Sequence, residues 1–448
     1  MKIKKSPSKK LAPLPRQLSD LIRRLEVEQK EQIPTIIREL SSWSYARGDL
    51  FHWVAVLDRF DDILLGICTE YNLKDIQTKP FDDQTKELIL SIIDLSCTLF
   101  ENCTNRNIYN LYEHLNMLLN TFDMDVLHQV LHFLIKPAQR INNPKAIRSS
   151  FSVPQDKIVE LARGWSHVPV ELLRIAQDLT VTPKMMTLNL QFYRTTTMEG
   201  HQVITENMAD PEFQKEDVDV FMDLVKKYDV PSESQFELAN RIRIAKHVND
   251  PEKRRQLLGI RILAITVMSH AVSETTAQNK VFIYEPYLIS QLAELISPEK
   301  QVDTTIQTYV LYALDGITRH RNKLSEVLIA VNASANHGTM MQILRKTNLS
   351  EAYPQPFLDA LLTFVSYLLQ TQPGGQMLMS AGIIPTLVQI VGNHQYTQLK
   401  NVAKVVGLID TIVNSFATSF SAFCNANGLD TLLNRIKVGQ REYLYISD

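Results

Sequence analysis

The sequence predicts an all-α protein whose helices stack in series as a solenoid, and three observations carry that expectation. Glycine is scarce: 14 in 448 residues, about 3% against the ~7% of an average chain. Doubly wound α/β enzymes and β-sandwiches spend glycine freely on tight turns and phosphate loops. Apolar residues recur at helical spacing in segment after segment, giving roughly eighteen helices of ordinary length joined by short polar breaks. A glycine-anchored motif also repeats 46 residues apart near the C-terminus. With 45% hydrophobic residues, the chain has material for a large core.

The elements follow in order. The first 16 residues carry six Lys/Arg, no acid, and Pro7, Pro13 and Pro15, so residues 1–15 read as a basic disordered tail. Its KKSPSKK is either a weak nuclear address or simply solvated. From Leu18 onward helical periodicity dominates. Gly48-Asp49 offers a break and an N-cap before FHWVAVLDRFDDILL. Asp82 and Asp83 open a helix through Leu88, Ile92, Leu95 and Leu99, and Asp123 caps one striped by Leu127, Val130, Leu131 and Leu134. Thr187–His201 alone reads as strand-like, a small hairpin or an irregular insertion. Leu257, Leu258, Ile260, Ile262, Leu263, Ile265, Val267 and Met268 point all round one helix, which must be buried. Arg261 within it then requires a carboxylate or carbonyl partner. Further on, Val302, Ile306, Tyr309, Val310, Ala313 and Ile317 share a face, as do Val402, Val405, Val406, Ile409, Ile412, Val413 and Phe416.

The repeat sharpens the fold. AGIIPTLV at Ala381–Val388 recurs in outline as NGLDTLL at Asn427–Leu433, and 46 residues is the period of armadillo and HEAT repeats. A glycine closes one helix in a left-handed cap, and a Pro or Asp then opens the next. The expected architecture is therefore an armadillo/HEAT-like solenoid.

The charge balance, 47 Lys+Arg against 49 Asp+Glu, lacks the basic excess of a nucleic-acid or membrane-surface protein. Cys68, Cys97, Cys103 and Cys424 form no CxxC pair and read as reduced, buried thiols. No signal peptide and no run of 18 apolar residues is present, so a cytoplasmic or nuclear location is expected.

Catalytic signatures are missing. His128 and His132 have the i, i+4 spacing of a zinc-binding HExxH, but HQVLH puts Gln129 where the general base belongs, so they read as solvated surface histidines. Gly374-Gly375 in QPGGQ lacks the context of a phosphate cradle and reads as a plain loop after a helix. No catalytic residue, metal or cofactor is expected. Two basic clusters are the candidates for partner binding. Residues 241–261 hold Arg241, Arg243, Lys246, Lys253, Arg254, Arg255 and Arg261, and a second run is Arg319-His320-Arg321-Asn322-Lys323. Either they lace the repeats internally or they form a positive surface for acidic partners, with Arg254, Arg255, Arg319, Arg321 and Lys323 as contacts. The acidic stretches Asp58–Asp62 and Glu206–Asp223 are possible internal counter-charges, and Trp43, Trp53 and Trp165 read as core anchors.

FHWVAVLDRFDDIL at Phe51–Leu64 resembles a stretch near the start of the giant HECT-type ubiquitin ligases of the Tom/HUWE/UPL group. Asp123–Arg140, Asp250–Ser269, Ala313–Ala330 and Gly382–Arg435 look similar in the same order. The resemblance implies an N-terminal armadillo-like region, with residues 16–372 as a first part and 373–448 as the start of a second, cut short at Asp448 in a fragment or truncated product. In that group a C-terminal HECT domain carries the catalytic cysteine. Cys424 lies in SAFCNANGL between armadillo-type helices, so that role does not carry over. The implied function is a non-catalytic scaffold recruiting substrate or adaptor proteins on a concave surface, ubiquitin machinery being engaged only through the missing C-terminal part. The alternative is a self-contained armadillo-type adaptor or transport protein.

Overall fold

The computed structural model describes residues 14–41, 48–71, 81–121, 123–141, 151–163, 187–193, 201–208, 210–247, 250–283, 285–299, 302–333, 338–348, 352–393 and 399–446. The basic tail up to residue 13, Trp43 and Trp165 lie outside them. The described residues are overwhelmingly helical, which makes the chain all-α. Two compact units divide it, Met1–Gly164 with Lys184–Ile260 and Trp165–Pro183 with Arg261–Asp448.

In the first unit α1 (Arg16–Val27) and α2 (Ile33–Ser41) bury their leucine and isoleucine faces. Gly48-Asp49 forms a two-residue strand, β1, parallel to β2 (Cys103–Thr104). A 3-10 turn, Leu50–Trp53, then intervenes, so α3 (Val54–Glu70) begins after buried Trp53 rather than after Asp49. The aspartate caps further on are as expected. Asp82 Oδ1 accepts the Thr85 amide at 2.9 Å ahead of α4 (Asp83–Asn102). After α5 (Tyr112–Leu118), Asp123 Oδ1 accepts the amides of Asp125 and Val126 at 2.9 and 3.1 Å, opening α6 (Met124–Ile141). The leucine and valine stripe of α6 is buried. α7 (Gln155–Arg163) follows.

The strand-like segment is an antiparallel hairpin, β3 (Thr187–Tyr193) with β4 (His201–Asn207), in which Leu190 faces Ile204. Period-2 alternation places Leu188, Leu190 and Ile204 on one face. That face joins a core with Phe221 and Leu224 of α8 (Asp217–Tyr228) and Leu238 and Ile242 of α9 (Ser232–His247). Of the acidic stretches, Asp217 is an internal counter-charge to Lys246 at 2.9 Å, Asp223 pairs with Lys215 at 2.6 Å on the surface, and Asp61 meets His114 Nδ1 at 2.6 Å.

The division between units falls inside α10 (Pro251–Ala271), whose apolar residues from Leu257 to Met268 are all buried. In the second unit Arg261, buried among them, reaches the carboxylate of Glu285. Helices then recur in groups of three. α11 (Glu274–Ala277), continued by one π-turn (Gln278–Phe282), is followed by α12 (Leu288–Leu295) and α13 (Thr304–Thr318). The next group is α14 (Leu324–Asn332), α15 (Gly338–Thr347) and α16 (Gln355–Gln370). The third is α17 (Gln372–Ser380), α18 (Ile383–Val391) and α19 (Leu399–Ser415), and α20 (Ser419–Asn425) and α21 (Gly428–Ile446) come last. The long third helices α13, α16 and α19 pack in succession, and so do the middle helices α15, α18 and α21.

A polar ladder and one polar junction tie groups together. Along the ends of the middle helices, Lys346 Nζ donates to Pro298 O at 3.3 Å, Asn393 Nδ2 to Asn348 O at 3.1 Å, and Arg435 to Asn393 O. Between third helices, Gln355 and Asn401 exchange amide hydrogen bonds at 2.8 and 3.1 Å, and Lys404 meets Asp359.

Two sequence expectations change. The glycine motif has a third copy at Gly338, 44 residues before Gly382, and both glycines are left-handed, with φ of 88° and 82°. At the last copy the left-handed residue is Asn427 (φ 57°) instead. Gly428 is needed there because a Cβ would stand 2.1 Å from the Phe423 ring. QPGGQ is no loop: Thr371 Oγ1 accepts the Gly374 amide at 3.2 Å, and both glycines lie in the first turn of α17. The Phe416 ring occupies the place of a Cβ on Gly375, at 2.2 Å. No single helix among the described residues is long and apolar enough to cross a membrane; α17 and α18 together are, but they bend by 76° at their junction.

Candidate partner-binding groove

The basic cluster at 241–261 is largely absorbed by the fold. Arg243 is buried with its guanidinium on Thr121 O, and burial lowers its pKa to about 10. Lys246 pairs with Asp217, Arg261 with Glu285, and half-exposed Arg255 with Glu252 at 3.1 Å. The Arg254 side chain lies outside the described residues.

The second cluster sits at the end of α13 and is built from beneath. Asp315 is buried, and desolvation raises its pKa against the pull of Arg319. Arg319 Nη2 and Nε donate to Asp315 Oδ2 at 2.9 and 3.3 Å. Behind Asp315, His270 is pushed down to about 3, chiefly by burial, and is therefore neutral. Its ring packs against Gly316, where a Cβ would stand 3.0 Å away. His320 meets Ser269 O at 2.7 Å. Lys323 donates to Glu326 at 2.6 Å and lies 5.1 Å from the Phe282 ring centroid. Arg321 is exposed and, among the described residues, makes no ion pair.

Arg319 also stacks on Tyr367 of α16, its Cζ 4.4 Å from the ring centroid. That contact fixes the guanidinium plane at the edge of a cavity of about 540 Å³, within the ~300–1,000 Å³ of small-ligand sites. Tyr367, Ser366 and Thr363 of α16 line it, with Lys404 and Gly407 of α19 opposite. Lys404 shares the Asp359 carboxylate with Lys400, whose Nζ stands 3.8 Å away. The groove thus runs across three successive third helices. Of its polar residues the sequence marked only Arg319.

His128 and His132 are not the solvated pair expected: both are half-buried, and burial lowers His128 and pushes His132 down to about 4. Among the described residues no group of three or more His, Cys, Asp or Glu could hold a metal ion. Burial pushes the thiols of Cys68 and Cys97 up to about 12, which keeps them protonated and unreactive at neutral pH.

A family described only as a domain of unknown function, DUF908, matches residues 84–212 and 196–349. The chain belongs to the DUF908 family. Its curated relatives bear out the resemblance to the N-terminal region of the giant HECT-type ubiquitin ligases. The E3 ubiquitin-protein ligase ptr1 of Schizosaccharomyces pombe is 25% identical over 98% of this DUF908 chain and 14% of the relative. HUWE1 of Mus musculus is 26% identical over 97% of the chain and 10% of its own length, and UPL2 of Arabidopsis thaliana 27% over 88% and 11%. The DUF908 chain therefore spans only about a tenth to a seventh of these proteins. Among solved structures, an engineered protein covers 94% of the chain at 13% identity with a TM-score of 0.26, too low to inform the fold.

Proposed function

We propose that this chain is a non-catalytic, armadillo-like scaffold of a HECT-type ubiquitin ligase, recruiting substrate or adaptor proteins while ubiquitin transfer occurs elsewhere in the ligase, in the cytoplasm, the nucleus or both. The observation that carries the reading is the coincidence of ligase relatives covering 88–98% of the chain with a unit built of recurring three-helix groups. In an armadillo-type stack the third helices α13, α16 and α19 line the concave side, where an extended partner lies across several repeats. Arg319 caps the C-terminal end of α13 on that row, and Arg321 and Lys323 follow in the turn beyond it. Arg254 and Arg255 are secondary candidate contacts.

In the same reading residues 16–372 form a first armadillo-like region and 373–448 the start of a second, and a further repeat covers α21. Leu429, Leu433 and Ile436 are 49, 54 and 58% exposed, whereas Ile383, Leu387 and Ile390, their counterparts one motif earlier, are 0–1% exposed.

Two experiments test the proposal. Incubated with activating enzyme, charged conjugating enzyme and ubiquitin, the chain forms no thiol-sensitive ubiquitin adduct; an adduct on Cys424 overturns the non-catalytic reading. Reversing the charge of Arg319, Arg321 and Lys323 together reduces partner recovery by the chain, and unchanged recovery removes these contacts.

A further inference from the structure

We infer that the groove between α13, α16 and α19 is a binding site for an acidic peptide segment, held by Arg319 and Lys404 with Tyr367 as its floor. The inference deepens the recruitment reading and rests on it for the peptide's belonging to a protein partner.

Charge complementarity selects the ligand. Among the described residues Asp359 is the carboxylate that both Lys400 and Lys404 meet, and Asp315 is the one that Arg319 meets. Three cations therefore share two carboxylates, and exposed Arg321 adds a fourth positive charge two residues away. Arg319 and Lys404 both line the cavity. A guanidinium carries five N–H donors, and the bonds of Arg319 to Asp315 use two of them. The Lys404 ammonium carries three, one of which meets Asp359. Groups with donors left over and a planar, pre-oriented guanidinium suit a carboxylate, bound at least in part through the Arg fork.

The rest of the lining suits a main chain and an aliphatic side chain. The side chains of Ser366 and Gln370 make no hydrogen bond among the described residues and can pair with peptide amides. Leu362 and Leu408 supply the apolar part. Gly407 opens the space: a Cβ there would meet nothing within 4 Å.

The test uses the whole 448-residue chain and fluorescein-labelled octapeptides of alternating Leu with Glu, Gln or Lys, read by fluorescence anisotropy. The Glu peptide binds, its affinity falling as salt rises, and the Gln and Lys peptides bind at least ~10-fold more weakly, the loss of one charge-assisted contact. Gly407→Trp fills the groove and Lys404→Glu reverses its charge. Each lowers affinity for the Glu peptide by ~10-fold or more with the melting temperature retained, a check that separates a blocked site from a misfolded one. Equal binding of all three peptides, no binding at all, or unchanged binding by both variants overturns the inference. So does a phosphoserine octapeptide bound ~10-fold better than the Glu one, which would make the groove a phosphate site. If peptide binding fails while the chain still recovers partners, the recruitment reading survives and this groove is excluded.

Discussion

Replacing Arg261 by Met leaves the Glu285 carboxylate, its side chain only 12% exposed, without its guanidinium. Arg261 itself is fully enclosed by α10 and its surroundings, and desolvation lowers its pKa while Glu285 supports its charge. Taking one partner from a buried ion pair costs about 3–5 kcal/mol, because the remaining charge stays desolvated. At roughly 2–4 °C per kcal/mol for a domain of this size, melting falls by on the order of 10 °C. Arg261→Met with Glu285→Leu removes both charges and keeps the volume, and such exchanges are neutral or stabilising. The double variant therefore regains most of the loss, giving a coupling energy of about 3 kcal/mol or more in a denaturation cycle followed by circular dichroism. A single variant costing less than ~1 kcal/mol, or a double variant as unstable as the single, refutes the reasoning.

The glycines make a matched pair of predictions. Gly407→Ala and Gly66→Ala meet open space on helices and raise stability by up to ~1 kcal/mol through helix propensity. Gly375→Ala drives a methyl into the Phe416 ring and lowers it by ~1–3 kcal/mol, as overpacking does; thermal melts of the three variants decide. Asp82→Ala removes the cap of α4 at about 1 kcal/mol. The Asp82 carboxyl is held down at about 2, chiefly by the Thr85 amide, below the ordinary ~3.9. Its contribution is thus complete above about pH 4 and lost as pH falls through about 2, so the gap between wild type and Asp82→Ala closes on acidification. Leu433→Asp, at an exposed site on α21, leaves the melting temperature within ~0.5 kcal/mol equivalent and reduces concentration-dependent association in sedimentation.

The architecture was legible where a residue type has a local reason. Asp82 and Asp123 announce helix starts because a short carboxylate reaches the free amides of a first turn. Gly382 announces a repeat because few other residues take a left-handed backbone readily. The copy at Gly338 is less legible because Thr339 follows it in place of a bulky apolar residue and no Pro or Asp opens its helix. For Arg261 the need for a partner was readable from a helix apolar all round, but Glu285 lies 24 residues on, beyond the π-turn, and only packing selects it. The groove was least legible. Arg319, Tyr367 and Lys404 are separated by 48 and 37 residues, and no local pattern joins them. The 45-residue spacing of Asp359 and Lys404 was the available signal, visible only once the repeat period is known.

The ladder along the middle helices has a consequence for cooperativity. Successive groups are latched by a side chain on a backbone carbonyl, and α16 and α19 also by a polar pair. In the armadillo-type stack proposed above, contacts of this reach couple each group most strongly to its neighbours, so opening one group weakens first the groups beside it. Partner binding across α13, α16 and α19 would clamp adjacent groups together, so that strain introduced at one of them is shared along the row.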